Sequence, residues 1–536
     1  MGDKIGRRTA ISVEENVMIY TSPLPAVEIP DVPLTEFVLA RAAELGDKPA
    51  LVDGPTGRSL TYAQLAAAVR SLAGGLVEHG FGKGDVLALM APNMPEFAVV
   101  FHSVAMAGGV VTTINPTYTE GEIHHQLLDS NARILITVPP LVDAAKAATV
   151  GTGVSETYVI GEVPAAGGAR SLTELMGPPL AAQVPVSPDD LVVLPYSSGT
   201  TGMNKGVMLS HRNLIANIAQ VLGPADIRED ERFIAVLPFF HIYGMQVLMN
   251  TGLRAGATII TMPRFDLEAF LQLHADHRIT RSFVVPPIVV ALAKHPMVDS
   301  FDLSALEQVF SGAAPLSADL AIEAGKRLGC EVVQGYGMTE LSPVSQLTPP
   351  GQFKPGSVGV TTPNTELRIV GPSGEDLGFD TDGEIWIRGP QVMQGYLNSP
   401  AATADTLDAD GWLHTGDIGH IDPDDHVFVV DRLKELIKYK GFQVPPAELE
   451  ALLLTHPAIA DAAVIGRPDQ EAGEIPVAFV VLQAGQVVTA SEVKAFVADR
   501  VAHYKRLGHV NFVDAIPKSA SGKILRRLLR DTPDPI

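Results

Sequence analysis

The chain has few of the features that mark secreted or membrane proteins. Its 536 residues include a single cysteine, Cys330, so no intramolecular disulfide can form, which fits a reducing cytoplasm. The first residues, MGDKIGRRTAISVEEN, lack the apolar core of a signal peptide. The most apolar long stretch, 233–253, contains proline, histidine and glycine, and we expect it to be buried core rather than a membrane span.

Positive charge is also scarce. The chain has 39 Lys and Arg against 61 Asp and Glu, a net charge of −22, so its overall field disfavours nucleic acid as a partner. An anionic nucleotide would have to be held by locally placed Lys, Arg and backbone N–H groups. Hydrophobic residues make up 46% and charged residues 19%, which predicts large buried cores and, at this length, at least two domains. Nothing in the sequence decides the oligomeric state.

The order of apolar patterns divides the chain into three parts. Up to about residue 345, short β-branched runs alternate with helical runs, which predicts an α/β architecture with parallel-type sheets. Residues 356–430 carry short, closely spaced strand patterns, which predict a β-barrel-like subdomain. A mixed pattern follows. We therefore expect an α/β protein with a large N-terminal domain at 1–431 and a small α+β domain at 432–536.

The segment YSSGTTGMNKG at 196–206 follows the apolar run LVVLP and combines glycines, hydroxyl side chains and one lysine. Its spacing fits neither a P-loop nor the GxGxxG pattern of dinucleotide-binding proteins. The glycines still permit close approach of the backbone, and Lys205 supplies positive charge for a polyphosphate. A phosphate-binding loop is predicted, against the alternative of an ordinary surface turn. The residues of this loop are Ser197, Ser198, Gly199, Thr200, Thr201, Gly202 and Lys205.

Three later segments accompany this loop: QGYGMTE at 334–340, GWLHTGD at 411–417 and VDRLKELIKYKGFQVPPAELE at 430–450. Together the four resemble the adenylate-forming superfamily of acyl-CoA synthetases, luciferases and nonribosomal adenylation domains, and within it the 4-coumarate–CoA ligases. The similarity extends from LTYAQL at 60 to PKSASGKILRR at 517–527. It implies that ATP, with Mg²⁺, activates a small-molecule carboxylic acid as an acyl-adenylate. The thiol of coenzyme A then displaces AMP, and positioned cations and donors are what both steps need.

The resemblance implies individual roles in the first half-reaction. Glu340 would bind Mg²⁺ with help from Thr200, because this hard cation favours one carboxylate together with phosphate oxygens. Thr339 would contact the α-phosphate, and Lys523 would bridge that phosphate and the carboxylate of the acid. From charge pattern alone, Lys523 would be one more member of a basic C-terminal helix. The other residues implied to bind ATP or AMP are Gln334, Gly335, Tyr336 at the adenine, Asp417 and Arg432 at the ribose, Lys434 and Lys438.

For the second half-reaction, the resemblance implies that the small domain is mobile and rotates about Lys434. Lys438 would then take the place of Lys523 at the site, because each lysine is needed at a different step. The alternative for this lysine-rich stretch is a solvated surface in which Glu435 pairs with a lysine. The residues expected to contact coenzyme A are Arg264, Lys440 and Gly441.

His241 lies in the apolar segment FFHIYGM. A lone histidine in such a run is more often a core residue, but the resemblance makes it a gate at the mouth of an acyl pocket. Few polar side chains are evident in that pocket, which favours cinnamate over hydroxylated acids because a buried phenol needs a partner. A fatty acid would also fit an apolar slot. The residues expected to line the pocket are Tyr243, Val247, Gly312, Ala313, Gly335, Gly337, Pro343, Val344 and Leu347.

The chain departs from the family pattern at three places. Met203-Asn204 replace Leu-Pro before Lys205, which predicts a more mobile loop. GEIWIRG at 383–389 has Trp in place of the Cys of the plant signature, and Pro445-Pro446 replace Ala-Pro. No charged group is lost, and together the changes predict a bacterial-type homologue.

Three other functions stay open at this point. One is a medium- or long-chain fatty acyl-CoA synthetase. Another is an enzyme that stops at the adenylate and loads a carrier protein or oxidises the acyl group. The last is a catalytically silent nucleotide-binding protein, which the intact Lys523, Glu340, Asp417 and Lys438 argue against.

Overall fold

The structure of the protein is a computed structural model that describes residues 12–14, 17–163, 168–197, 204–440, 442–469, 471–519 and 522–530. Its four sheets confirm the predicted α/β class with a large N-terminal and a smaller C-terminal part. Among the described helices, none has the length and apolar character that a membrane crossing needs. The helices before residue 330 are Leu34–Val38, Ala42–Leu45, Tyr62–Glu78, Pro95–Met106, Glu120–Asp129, Val142–Thr149, His211–Leu222, the π-helix Tyr243–Asn250, Thr251–Ala255, Leu267–His277, Pro286–Lys294 and Ala318–Leu328.

The eight-stranded sheet carries the predicted phosphate loop. In spatial order its strands are Gly395–Tyr396, Lys205–Ser210, Leu191–Ser197, Val110–Thr113, Val86–Met90, Ile134–Thr137, Glu156–Val159 and Arg170–Ser171. The strands from Leu191–Ser197 to Arg170–Ser171 pair in parallel, as their β-branched sequences predict. At the other edge, Leu191–Ser197 and Lys205–Ser210 are antiparallel neighbours, so they form a hairpin around the loop.

The nine-stranded sheet places the QGYGMTE segment. In spatial order its strands are Val360–Thr361, Val344–Leu347, Glu331–Gly337, Gln308–Ser311, Arg281–Val284, Arg232–Ala235, Thr258–Thr261, Pro49–Asp53 and Ser59–Thr61. Its central strands are parallel, and Glu331–Gly337 and Gln308–Ser311 lie side by side. Open parallel sheets bind ligands beyond the carboxyl ends of their strands, which here are residues 311–315 and 337–340.

The predicted all-β region is an antiparallel sheet of six strands. Their spatial order is Ser12–Glu14, Val17–Thr21, Glu366–Val370, Gly383–Arg388, Leu413–Ile421 and Val427–Arg432, and the helix Pro400–Thr406 lies between two of them in sequence. The two N-terminal strands join this sheet although they are far from it in sequence, which local patterns could not reveal. An isolated bridge between Val360 and His426, the residue before its last strand, links this sheet to the nine-stranded sheet. The N–H of Val427 also donates to the carbonyl of Gly359 at 2.8 Å.

The C-terminal part has its own sheet and core. Its strands are Ile437–Tyr439, Phe442–Val444, Ile459–Asp469, Gly473–Leu482 and His509–Phe512, and its helices are Pro446–Leu454, Ala490–Ala498 and Arg526–Arg530. The buried apolar residues between 437 and 529 form two clusters, and both are separate from the large cluster that spans 20–427. Pro446 begins its helix, a position where proline has a suitable φ and no N–H is needed. The boundary at 431/432 stays a prediction.

Candidate active site

The predicted phosphate loop lies in the hairpin between Leu191–Ser197 and Lys205–Ser210. Ser197 and Lys205 are opposite each other in the last described pair of this hairpin. The Lys205 ammonium lies 5.0 Å from the centre of the Tyr396 ring. Five predicted loop residues fall outside the described residues, so their roles stay predictions: Ser198, Gly199, Thr200, Thr201 and Gly202.

Both sides of this hairpin are anchored to one neighbouring segment. Asn204 Nδ2 donates to Tyr118 Oη at 2.8 Å, and Tyr196 Oη donates to Asp129 Oδ2 at 2.7 Å. Tyr118 precedes the helix Glu120–Asp129, and Asp129 ends it. The Asn204 side chain therefore ties the residue before the strand Lys205–Ser210 to this segment, a contact that the sequence alone did not suggest.

A cavity of about 50 Å³ brings many of the predicted residues together beyond the ends of the nine-stranded sheet. The predicted residues that line it are His241, Tyr243, Gly312, Ala313, Gly335, Tyr336, Gly337, Thr339, Pro343, Val344 and Lys523. Ile242, Phe310 and Met338 also line the cavity and were not predicted. They are apolar residues next to the motifs, and the sequence does not distinguish an apolar residue that lines a pocket from one in the core. The predicted residues Val247, Leu347 and Gln334 are buried outside this lining.

Two glycines give the cavity flat walls. A Cβ at Gly335 would lie 2.4 Å from the Phe310 ring, and one at Gly312 would lie 2.9 Å from the Tyr243 ring. Larger residues would push these rings aside, so glycine is what allows them to approach the backbone. Tyr243 Oη makes one long hydrogen bond, 3.4 Å, to the carbonyl of Phe310. The wall formed by Gly312, Tyr243, Phe310 and Gly335 is therefore mainly apolar and aromatic, and the Tyr243 phenol is its polar side-chain group.

Tyr336, Asp417 and Arg432 form a hydrogen-bonded cluster beside the cavity. Tyr336 Oη donates to Asp417 Oδ2 at 2.5 Å, and Arg432 Nε lies 3.4 Å from Asp417 Oδ1. Asp417 and Arg432 are cross-strand partners in the six-stranded sheet, which explains how residues from two motifs meet. Burial raises the pKa of Asp417, although Arg432 acts in the opposite direction. An ionised Asp417 therefore gains from further hydroxyl donors, such as those of a ribose.

Lys523 reaches this cavity from the C-terminal part of the chain. Its segment lies against the N-terminal part, because a Cβ on the preceding Gly522 would be 3.2 Å from the Val285 side chain. Burial, and then the charge of Arg432, lower the pKa of Lys523 below its ordinary value. Burial and the charge of Lys523 lower the pKa of His241 to about 3, so that imidazole is neutral near pH 7.

Glu340 lies on the short turn Thr339–Leu341 and is 5% exposed. Its Oε1 accepts a hydrogen bond of 2.9 Å from Tyr396 Oη, a residue that the sequence did not single out. Within the described residues, no group of three His, Cys, Asp or Glu could enclose a metal ion. A single carboxylate still suits Mg²⁺, which usually completes its coordination with water and substrate phosphates. The residues present therefore fit the implied metal.

The residues predicted for the hinge and for coenzyme A do not line this cavity. Lys434, Lys438, Lys440 and Arg264 are exposed at the surface, and Gly441 lies outside the described residues. The backbone N–H of Lys438 donates to Glu474 Oε2 at 2.8 Å. These roles stay predictions, and the structure has Lys523 rather than Lys438 at the site.

A buried ion cluster joins the predicted hinge to the last helix. Arg526 donates to both oxygens of Glu450, at 2.8 and 2.9 Å, and to Glu435 Oε2 at 2.8 Å. Asp431 Oδ2, on the last strand of the six-stranded sheet, accepts from the backbone N–H of Ala447 at 2.9 Å. Burial raises the pKa of Asp431 to about 6 and that of Glu450 to about 7. Arg526 is therefore paired with acidic residues, and is not simply part of a solvated basic helix.

Comparison with known proteins identifies the family. Residues 38–397 match the AMP-binding enzyme family, and residues 448–523 match the AMP-binding enzyme C-terminal domain. The 4-coumarate–CoA ligase 3 of Oryza sativa subsp. japonica is 48% identical to the chain, covering 96% of it and 95% of that protein. The 4-coumarate–CoA ligase of Vanilla planifolia is 44% identical, covering 97% and 98%. These relatives are plant enzymes, so the expected bacterial type gains no support from them.

Solved structures show the same architecture. ATP-bound MatB from Rhodopseudomonas palustris superimposes with a TM-score of 0.84 at 31% identity, over 93% of this chain and 99% of that one. The anthranilate CoA ligase AuaEII, in complex with anthranoyl-AMP, gives a TM-score of 0.87 at 25% identity, over 95% and 97%. The chain belongs to the AMP-binding enzyme family and, within it, to the acid–thiol ligases of the 4-coumarate–CoA ligase type.

Proposed function

We propose that the protein joins an aryl-propenoic acid, of the 4-coumarate or cinnamate class, to coenzyme A with conversion of ATP to AMP and diphosphate. The observation that carries the proposal is Lys523, which enters the cavity lined by His241 and Thr339, beside the Tyr336–Asp417 pair. The near full-length similarity to enzymes named 4-coumarate–CoA ligases favours aryl-propenoic acids over fatty acids.

In the first half-reaction, a carboxylate oxygen of the acid bonds to the α-phosphorus of ATP. The bond from that phosphorus to the bridging oxygen breaks, and diphosphate leaves. Lys523, as an ammonium, would offset the charge on the carboxylate and on the α-phosphate at the same time, which brings the reacting groups together. The Thr339 hydroxyl would donate to the α-phosphate, and Lys205 would bind the terminal phosphates. Glu340 would hold Mg²⁺, which would supply further positive charge at those phosphates.

The Tyr336–Asp417–Arg432 cluster would hold the nucleoside. Asp417 accepts from Tyr336 and lies beside Arg432, so its carboxylate is fixed in position before a nucleotide binds. We assign it to the two ribose hydroxyls and Tyr336 to the face of adenine. The backbone turn from Gly335 to Thr339 then brings the α-phosphate towards Lys523.

In the second half-reaction, the sulfur of coenzyme A bonds to the carbonyl carbon of the acyl-adenylate. The bond from that carbon to the phosphate oxygen breaks, AMP leaves, and the thiol proton passes to solvent or to AMP. Because the low pKa of His241 keeps it neutral, we assign it a gating role at the mouth of the pocket. Lys438 would reach the site by rotation of the C-terminal part about Lys434.

The flat, aromatic slot supports a planar acid. Gly312 and Gly335 allow the rings of Tyr243 and Phe310 to lie close to the backbone, and both rings line the cavity, where an aromatic acid would contact them. The Tyr243 hydroxyl has only a long hydrogen bond, so it could serve the phenol of a hydroxylated substrate. This feature weakens the preference for cinnamate over 4-coumarate that the apolar sequence indicated.

An acid panel tests the proposal. ATP–pyrophosphate exchange should depend on 4-coumarate or cinnamate and on Mg²⁺, and should be weak with medium- and long-chain fatty acids. Addition of coenzyme A should then yield the thioester. Exchange with fatty acids alone would show that the substrate is a fatty acid and not an aryl-propenoic acid. Exchange without formation of a thioester would indicate an enzyme that stops at the adenylate. No exchange with any acid would leave a silent nucleotide-binding protein.

We also propose a cytoplasmic location for the protein. The single cysteine, Cys330, is partly buried and its thiol is free, which supports a reducing compartment. Fractionation of the source cells tests this assignment.

A further inference from the structure

One tyrosine contacts both groups that we assign to the terminal phosphates. Tyr396 Oη donates to Glu340 Oε1 at 2.9 Å, and the Tyr396 ring lies beneath the Lys205 ammonium at 5.0 Å. Lys205 and Glu340 are far apart in sequence: Lys205 begins a strand of the eight-stranded sheet, and Glu340 lies on the turn that follows a strand of the nine-stranded sheet. Tyr396 is therefore the side chain through which the two are connected in the described part of the chain.

The segment 391–397 that carries Tyr396 is held from both sides. Towards the hairpin, the N–H groups of Gln394 and Leu397 donate to the carbonyls of Met208 and Gly206, at 3.0 and 2.8 Å. Towards the Glu340 turn, the N–H of Met393 donates to the carbonyl of Glu340 at 2.9 Å. The backbone thus fixes the tyrosine between the strand of Lys205 and the turn of Glu340.

The contacts of Tyr396 suit the orientation of charged ligands. A donor on one oxygen of Glu340 fixes the carboxylate plane, and no other described residue bonds to Oε2 of Glu340, so that oxygen can face a cation. The ring face attracts the Lys205 ammonium without consuming any of its three N–H donors.

We propose that Tyr396 is a positioning residue for adenylation, which orients Glu340 towards Mg²⁺ and Lys205 towards the terminal phosphates as one unit. The inference rests on the proposed function, because it takes the metal and phosphate roles of those two residues from it. Its consequence is that binding of the metal and binding of the polyphosphate are coupled through one side chain.

Tyr396→Phe and Tyr396→Leu separate the two contacts. The measurement is the dissociation constant of α,β-methylene-ATP, once with Mg²⁺ and once with EDTA. The constant in EDTA divided by the constant with Mg²⁺ reports how much the metal strengthens binding, and this ratio measures the coupling. Tyr396→Phe keeps the ring but loses the donor to a charged group, so this ratio should fall about tenfold. Tyr396→Leu loses both contacts, and should also weaken binding in EDTA by about threefold.

Tyr158→Phe is a matched control. Tyr158 lies in the same eight-stranded sheet, its hydroxyl donates to Glu156 at 2.8 Å, and Arg170 lies 6.0 Å from its ring centre. This variant removes an equivalent hydroxyl outside the proposed site and should leave the ratio unchanged. In a Glu340→Gln background, the effect of Tyr396→Phe should disappear if Tyr396 acts through that carboxylate.

The outcomes distinguish this inference from the proposed function. An unchanged ratio in Tyr396→Phe, or lowered Tm values without any change in the ratio, would overturn the inference and leave Tyr396 a structural role. Formation of thioester from supplied acyl-adenylate should be unchanged in Tyr396→Phe, because that step involves no triphosphate. If the unaltered enzyme forms no adenylate with any acid, the proposed function fails, whatever the tyrosine does.

Discussion

The two lysine-bearing faces of the C-terminal part differ in their surroundings. Lys523 lines the cavity, and its low pKa reflects burial and the charge of Arg432. Lys438 lies on the strand Ile437–Tyr439 and is exposed to solvent. A lysine that must act on the same acyl group has to enter the same cavity. Under the proposed function, this arrangement would serve adenylation, and thioester formation would need a second orientation of the C-terminal part.

Replacement of Lys523 should have the largest effect. Lys523→Ala removes the cation that meets both the carboxylate and the α-phosphate, so adenylation should slow by about a hundredfold or more. Conversion of supplied acyl-adenylate to thioester should be spared. ATP–pyrophosphate exchange and single-turnover thioester formation measure the two steps separately. Lys518→Ala is the control, because Lys518 pairs with Asp461 at 2.6 Å and does not line the cavity.

Lys438→Ala should show the opposite pattern. Loss of a group that positions the second step should slow thioester formation by roughly tenfold to a hundredfold, and exchange should remain near its original rate. Lys494→Ala, at another lysine of the C-terminal part, should affect neither step. Equal loss of both half-reactions in Lys523→Ala and Lys438→Ala would contradict the assignment of one lysine to each step.

The pH dependence should also differ between the two half-reactions. The ammonium form of Lys523 is lost as pH rises through its pKa, which burial lowers from the ordinary 10.5. The kcat/KM of adenylation should therefore fall about tenfold per pH unit once the pH exceeds the pKa of Lys523, and this fall should begin below pH 10.5. Lys523→Arg should move this basic limb upwards, because a guanidinium stays charged. A limb at the same pH in Lys523→Arg would assign it to another group.

The junction contact between Asp431 and Ala447 should favour adenylation. The Asp431 carboxylate accepts a hydrogen bond of 2.9 Å from the N–H of Ala447. Rotation about Lys434 would separate these two groups. Asp431→Ala should therefore lower the rate of adenylation about fivefold, because it removes a hydrogen bond to a helix N-terminus worth about 1 kcal/mol. The rate of thioester formation should not fall. Asp461→Ala serves as control, because Asp461 contacts only the C-terminal part. Equal slowing of both steps in Asp431→Ala would show that the contact stabilises the fold without favouring one orientation.

The sequence predicted those parts of the molecule whose signal is local. The sequence at 60–80 has the apolar periodicity of a helix and a capping threonine, and it forms the helix Tyr62–Glu78. The helix Pro446–Leu454 begins at a proline, which is also a local signal for a helix start. The pocket residues were implied by the resemblance of their motifs to a family, and two of them, Val247 and Leu347, lie outside the cavity lining. What could not be predicted is pairing over long separations, such as Val17–Thr21 with Glu366–Val370.

The contacts of Tyr396 and Arg526 show the same limit at the site. Tyr396 gains its partners because a two-residue strand joins the eight-stranded sheet beside Lys205–Ser210. Arg526 lies in the basic C-terminal segment of the sequence, yet in the structure its guanidinium donates to Glu435 and Glu450. The order of charged residues in the sequence does not show which strands and helices lie next to each other in the fold. The contacts of Tyr396 and Arg526 depend on those neighbours.

Replacement of Asn204 by proline should have the smallest effect, and it tests how the strand after the phosphate loop is anchored. From sequence alone, Asn204→Pro would stiffen the loop and lower the KM for ATP. The structure adds a hydrogen bond from the Asn204 side chain to Tyr118, which proline cannot make. The loss of about 1 kcal/mol from this bond and the gain of about 0.4–1 kcal/mol from proline nearly cancel.

We therefore expect Asn204→Pro to keep the KM for ATP within about twofold of the original value, whereas Asn204→Ala raises it about fivefold. Tyr118→Phe should reproduce the effect of Asn204→Ala, since each removes one partner of the same hydrogen bond. Steady-state KM values for ATP at saturating 4-coumarate measure all three. If Asn204→Ala leaves the KM unchanged while Asn204→Pro lowers it several-fold, backbone mobility governs this loop and the contact with Tyr118 does not.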